Sequence, residues 1–170
     1  FKLYVFPLSF HMRSPISSFL TFIVALAVTL ALAFVWTFML GLFGFPLERS
    51  PQVAAISDYF SSSPELNALA FPAALLGSAF PHEFARCLVL SSAIRVRSNL
   101  LFSILLILTS LSFGGAHLFL GLGAAISTCL FGAFLGALYY VRRSFWELVL
   151  IHAFTLFLFI FQPLFLSAML

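Results

Sequence analysis

Charged residues are scarce in this chain of 170 residues, and their scarcity excludes a water-soluble globule. The chain has eight lysines and arginines and five aspartates and glutamates, which make up 8% of its residues, against about 25% in a typical soluble domain. Because 63% of the residues are hydrophobic, too few polar side chains remain to cover a soluble surface. The composition therefore predicts an all-α fold, a polytopic membrane helix bundle surrounded by the lipid bilayer.

Cysteine is almost as scarce. Cys87 and Cys129 both lie in apolar segments, so we interpret them as small buried hydrophobic residues and not as a disulfide or a metal site. The basic residues form no patch interleaved with aromatic residues, so no nucleic-acid partner is expected.

The long apolar runs predict a single membrane domain over residues 1–170 with about five transmembrane helices. The first run, 15–44, contains no charge, and 45–64 is a polar connection in which a short helix is expected over 53–60. In the second span Pro72 and Pro81 predict a kink or a break. The spans that follow the polar connection lie at about 65–94, 99–119, 124–140 and 145–165.

The basic residues predict the orientation. Five spans with the N-terminus in the cytoplasm place six of the eight basic residues on the cytoplasmic side, and the opposite orientation places those six outside. Near this edge Glu147 is expected either to extend its carboxylate toward the interface or to pair with Arg143. The cytoplasmic set is Lys2, Arg13, Arg95, Arg97, Arg142 and Arg143.

Two charges interrupt the apolar run of the second span, and they are the first candidate functional residues. Glu83 and Arg86 are three residues apart and share one helix face. A charge near the bilayer centre costs roughly 2.5–3.5 kcal/mol on insertion scales, unless it is paired or hydrated. One interpretation is a structural ion pair, and the other is a carboxylate that serves as a general base for water.

Histidines extend the candidate site. His117 and His152 lie in later apolar spans, and each alone is often bonded only to a nearby carbonyl. Two imidazoles that face one carboxylate would hold a water and stabilise a developing oxyanion. The motif His82-Glu83-Phe84-Ala85-Arg86 is similar to His-Glu-x-x-His but lacks the second histidine of a zinc protease.

The order of these elements resembles the CPBP family of intramembrane proteases, which includes CAAX prenyl proteases and bacteriocin-processing (Abi) proteins. That family carries Glu-Glu-x-x-x-Arg, then Phe-x-x-x-His, then His-x-x-x-Asn/Asp on successive helices. Phe113 to His117 matches the second element in full, and the segment 134–152, with its basic turn, its tryptophan and its final histidine, resembles the third. The resemblance covers about residues 65–160, and 65–165 would be the catalytic core.

Two positions depart from the family pattern. His82 stands where the first glutamate would fall, and the spacing from Glu83 to Arg86 is one residue shorter. Leu156 stands where asparagine or aspartate is expected, and Thr155 is the nearest polar substitute.

The resemblance implies a metal-independent, glutamic-type endopeptidase in a prokaryotic cell membrane, with no cofactor. Glu83 would activate water, Arg86 would orient Glu83, and His117 and His152 would stabilise the oxyanion. The substrate would be a membrane-associated peptide or a lipidated protein. Additional candidate site residues are His82, Phe113 and Thr155.

Two alternatives remain open at this point. The chain could be a non-catalytic member that binds or sequesters a membrane peptide, as an immunity protein would. It could also be a zinc-dependent intramembrane hydrolase, because His82, His117 and His152 have the ligand number of a catalytic zinc site.

Overall fold

A computed structural model describes residues 14–42 and 51–167 of the chain. In this part of the chain the secondary structure is helical and contains no strand, which confirms the all-α prediction. A π-helical stretch, Leu75–Ala79, joins α3 to α4, and a 3-10 turn, Leu118–Leu120, follows α5. The α-helices are α1 (Pro15–Leu42), α2 (Pro51–Ser61), α3 (Pro64–Ala74), α4 (Phe80–Arg95), α5 (Asn99–Gly115), α6 (Leu122–Arg142) and α7 (Phe145–Ser167).

Short polar residues set where several of these helices begin. The Ser63 hydroxyl accepts a hydrogen bond from the backbone N–H of Leu66, and Pro64 occupies the first turn of α3. Ser98 caps α5 in the same way. Arg143 adopts a left-handed conformation and ends α6, so the chain reverses there and α7 begins at Phe145.

The prolines of the second predicted span do not separate it into two helices. Pro72 lies inside α3, and Pro81 lies in the first turn of α4, where a missing N–H costs little. Between them the wider π-helical turn keeps the chain helical from Pro64 to Arg95. Single π-helical turns within α-helices are frequent beside functional sites, and this one ends four residues before Glu83.

Helices α5 and α6 pack closely and run antiparallel. The Tyr140 hydroxyl donates to Asn99 Oδ1 at one end of the pair. Toward the other end the α-carbon of Gly114 lies so close to α6 that a β-carbon would stand 2.6 Å from the carbonyl oxygen of Ala125. Helix α4 lies against both of these helices and α7, and this arrangement brings three of the candidate segments together.

Arginines gather at the end of the bundle where α4 and α6 finish. Arg142 donates to the carbonyl and hydroxyl oxygens of Ser17, which places the start of α1 at this end as well. Such clustering matches the predicted cytoplasmic edge, while the orientation itself stays a prediction. The clustered residues are Arg95, Arg97, Arg142 and Arg143, and Lys2, Arg13 and Arg49 lie outside the described residues.

The outside of the bundle is apolar. Leu76, Leu100, Phe119 and Val141 are each more than 60% exposed, and such surface is suited to a lipid environment. Among the described residues, Leu122–Arg142 is the one helix whose length and composition allow it to cross a membrane. Shorter apolar helices cover Pro15–Ala31, Asn99–Gly115 and Phe145–Leu158. The number of spans therefore stays a prediction.

A buried ion pair joins the helices at the arginine-rich end. Glu147 pairs with Arg142, in contrast to the expected partner Arg143, with Arg142 Nε donating to Glu147 Oε2 at 2.9 Å. Ser18 of α1 donates to the other carboxylate oxygen at 2.7 Å. The carboxylate thus links α1, α6 and α7.

We expect Glu147→Gln to lower the free energy of unfolding by about 1–3 kcal/mol, because an amide cannot accept all of these bonds. Thermal unfolding in detergent would measure the change. Glu65→Gln is the matched control, since Glu65 is exposed in the first turn of α3 and its substitution should change the melting temperature much less. Equal melting temperatures for both variants would contradict the prediction.

Candidate active site

The candidate site is built around a carboxylate with no exposure to solvent. Glu83 is 0% exposed and Arg86, one turn further along α4, is 4% exposed. Arg86 Nη1 donates to Glu83 Oε1, so the pair predicted from the sequence is formed. Its burial makes it costly to break, because removing one partner leaves an uncompensated charge in the interior.

His152 reaches the same carboxylate oxygen from α7. Its Nδ1 lies 2.7 Å from Glu83 Oε1, and the imidazole is itself buried. Because an ionised carboxylate only accepts hydrogen bonds, Nδ1 carries a proton and donates it. In a doubly protonated imidazole Nε2 is a donor as well, while Nδ1–H keeps its bond to Glu83.

His82 lies beside this buried group but is partly exposed. Its ring is nearly parallel to that of His152, with the centroids 5.9 Å apart, and its centroid lies 6.3 Å from that of His117. Ser78, in the π-helical stretch, places its hydroxyl oxygen 3.3 Å from His82 Nδ1. The structure therefore positions His82 among the other two histidines and not on an unrelated face.

Phe113 is the common neighbour of the histidines. Its ring centroid lies 5.1 Å from that of His82, 4.9 Å from that of His117 and 5.5 Å from that of His152. The guanidinium carbon of Arg86 lies 4.9 Å from the same centroid, at the distance of a cation–π contact. All three imidazoles therefore surround one aromatic ring.

The positions of His117 and His152 along their helices made it hard to predict that these residues lie close together. His117 lies about 27 Å along the chain direction from Asn99, and His152 only about 10 Å from Phe145, at 1.5 Å per residue. In the structure α5 ends at Gly115, and the His117 Nδ1–H donates back to the Phe113 carbonyl oxygen at 2.8 Å. This bond turns the imidazole toward Phe113 and brings it beside His82.

Several buried polar atoms at the site lack a hydrogen-bond partner among the described residues. They include Glu83 Oε2, Arg86 Nε and Thr155 Oγ1. An unsatisfied buried polar atom costs about 1–3 kcal/mol, so folded proteins rarely keep several such atoms in one region. Thr155 is buried one helical turn beyond His152, as a residue facing the interior would be.

The histidines do not form a metal site in this arrangement. Among the described residues, no set of three or more His, Cys, Asp or Glu side chains is grouped in a way that could hold a metal ion. Geometry therefore gives no support to the zinc alternative.

The structure brings together Glu83, Arg86, His152, His82 and Phe113, with His117 at the edge of the group. Sequence reasoning did not identify Ser78 as a partner of His82. The signal was present in the four-residue spacing between them, which places two side chains on one helix face.

We expect Phe113→Leu to lower kcat/KM for a cleaved peptide about tenfold, because the rings that pack on Phe113 lose their common support. Phe102→Leu is the matched control, since Phe102 is buried on the same helix and contacts Tyr140, away from the histidines. Peptidase kinetics with thermal unfolding of both variants would test this. Equal loss of activity in both variants would show that Phe113 acts only through stability.

One comparison with known proteins identifies a family for this chain. A search of curated proteins and a search of solved structures gave no match. A family model described as "Rce1-like: Type II CAAX prenyl endopeptidase Rce1-like" matches residues 64–158, which is more than half of the chain. The matched range contains the Glu83–Arg86 pair and all three histidines of the site. The chain therefore belongs to the family of Rce1-like type II CAAX prenyl endopeptidases.

Proposed function

We propose that this protein is an intramembrane endopeptidase that hydrolyses a peptide bond in the C-terminal segment of a prenylated or otherwise membrane-bound polypeptide. The family is a protease family whose members are integral membrane proteins. The observation that carries the proposal is the buried group formed by Glu83, Arg86 and His152 beside the partly exposed His82 and His117.

Peptide hydrolysis needs a base that takes a proton from water, a donor that stabilises the oxyanion, and a site that shields both from bulk solvent. The site offers three imidazoles for the first two tasks. His152 is suited to the oxyanion, because Glu83 holds its ring through Nδ1 and a doubly protonated imidazole donates from Nε2. Arg86 balances the charge of the carboxylate.

The apolar surface around the site suits a lipidated substrate. Leu118, Phe119 and Leu122 follow His117 directly, and each is more than half exposed. A prenyl chain in the bilayer would lie against such side chains, while the peptide bond reaches the histidines from the interface. A bilayer, a lipidated peptide and this chain are therefore the components of the proposed reaction.

The test uses the protein in liposomes with a farnesylated peptide that ends in a CAAX sequence. Mass spectrometry should detect the released tripeptide, and the same peptide without the farnesyl group should be cleaved more slowly. Excess EDTA should leave the rate unchanged if catalysis needs no metal.

The non-catalytic alternative predicts a different result in the same liposomes. The farnesylated peptide would bind and no tripeptide would be released at any pH. Leu156, which stands in place of the family's polar residue, favours this alternative. Binding without cleavage would overturn the peptidase proposal.

A further inference from the structure

The fully buried position of Glu83 raises the question of which group activates water. Its carboxylate is 0% exposed, and Oε1 already accepts from both Arg86 and His152. Oε2 is also buried. A general base must come within about 2.6–3.2 Å of the water that it deprotonates, and this carboxylate is closed to bulk solvent.

His82 has the access that Glu83 lacks. It is partly exposed, it directly precedes Glu83, and its ring lies between those of His152 and His117. When Nδ1–H donates to the Ser78 hydroxyl oxygen, Nε2 carries the lone pair. In this tautomer the imidazole is a base.

His117 faces His82 with the same tautomer. Its Nδ1–H donates to the Phe113 carbonyl oxygen, so Nε2 of the neutral ring is also an acceptor. The two ring centroids are 6.3 Å apart, a separation at which one water can lie between two ring nitrogens. Both imidazoles are partly exposed, so a substrate can reach this position.

We propose that His82 is the general base of this enzyme, and that a water held between His82 and His117 is the nucleophile. This assignment rests on the proposed peptidase function and deepens it. In it Glu83 is a positioning residue: it holds His152 and, with Arg86, fixes the end of α4 from which His82 projects.

The proton and electron balance is that of ordinary peptide hydrolysis. The water oxygen forms a bond to the substrate carbonyl carbon, and one water proton moves to Nε2 of His82. The carbonyl oxygen becomes an oxyanion that accepts from the Nε2–H of His152. When the C–N bond breaks, the protonated His82 gives its proton to the leaving amine, so one peptide and one water yield one acid and one amine.

Exchanging the base tests the assignment through the pH profile. A free imidazole titrates near pH 6.5 and a free glutamate near 4.3, and burial brings the two values closer together, so His82→Glu should move the acidic limb of kcat/KM to lower pH by less than about two units. The charged and titratable groups that face position 82 are Glu83 and Arg86 on α4, His117 after α5 and His152 on α7. They are the same in both proteins, so the shift would report the exchanged base.

His82→Ala measures the size of the effect. General-base catalysis typically contributes about 10²–10⁴-fold, so we expect kcat to fall by that factor while KM changes little. Ser78→Ala should reduce kcat severalfold, because the imidazole loses the bond that orients its ring. Ser92→Ala is the matched control: Ser92 is an exposed serine on α4 that bonds only the carbonyl oxygen of Val89.

The experiment measures farnesylated-peptide cleavage in liposomes across pH 4–9, with melting temperatures for each variant. A lower acidic limb in His82→Glu, with a large loss in a folded His82→Ala, would support the assignment. A His82→Ala variant within twofold of the wild type would overturn it while the peptidase function stands. An inactive wild type would overturn the peptidase function, and the assignment with it. If the wild type is inactive and His82→Glu is active, the wild-type site lacks a working base, which also overturns the assignment of His82.

Discussion

Glu83→Gln should lower kcat about 10³-fold or more. The amide keeps the shape of the carboxylate but removes the anion that accepts from Arg86 and His152. Without it His152 loses the partner that holds its ring in place, so the oxyanion loses a positioned donor. Loss of the carboxylate from a comparable carboxylate–imidazole pair costs about 10⁴-fold in other hydrolases.

The same substitution leaves Arg86 buried without its partner, which would destabilise the fold by roughly 3–5 kcal/mol. A second variant, Glu83→Gln with Arg86→Met, separates the two effects, because it removes the unpaired cation as well. We expect it to recover much of the lost stability and none of the lost activity.

Steady-state kinetics and thermal unfolding of both variants would measure these effects. A role for Glu83 in positioning predicts a fall in kcat with KM nearly unchanged, and Glu83→Asp should recover part of the rate. The exposed Glu65 provides the control through Glu65→Gln. If the double variant recovers both activity and stability, Glu83 and Arg86 form only a structural ion pair.

Gly114→Ala should produce the second large effect, a loss of stability of about 3 kcal/mol. Its new β-carbon would stand 2.6 Å from the backbone oxygen of Ala125 and 2.7 Å from the β-carbon of Cys129. Neither atom is the end of a flexible side chain, so α5 and α6 would have to separate. Overpacking in an ordered core typically costs about 1–3 kcal/mol, and a backbone contact this short belongs at the upper end of that range.

Gly115→Ala is a matched control one residue away. A β-carbon there has no neighbour within 4 Å, and alanine favours a helix over glycine by about 1 kcal/mol. Thermal unfolding in detergent should therefore show opposite signs for the two substitutions. The Gly114 variant should also lose activity, since Phe113 lies beside it. Similar melting temperatures for both would mean that the two helices separate more readily than their contacts indicate.

Helix positions were largely predictable from the sequence, because they depend on local signals. The serine caps of α3 and α5, the turn at Arg143 and the uninterrupted apolar runs fixed most boundaries within a few residues. The short helix expected over 53–60 is present as α2. The π-helical stretch was not predictable, since Pro72 and Pro81 indicate disruption but not how the chain accommodates it.

The composition of the site was also predictable, but its geometry was not. The spacing of Glu83 and Arg86 on one helix indicated their pair. Contacts between helices depend on how the helices cross, so the sequence did not show that His152 bonds Glu83 or that Phe113 lies among three imidazoles. Nor did it show that Glu83 is closed to solvent and His82 open, which is the difference that changes their proposed roles.

The π-helical stretch Leu75–Ala79 also has a consequence for how the length of this chain can vary. A π-helical turn is equivalent to an α-helix that has accepted one inserted residue. Deleting one residue there would restore α-helical geometry and leave α3 and α4 in their present rotational register, with Glu83 still facing α7. A deletion elsewhere between Pro64 and Arg95 would rotate one helix relative to the other by about 100°. A one-residue deletion between residues 75 and 79 should therefore leave the packing of Glu83 against α7 intact.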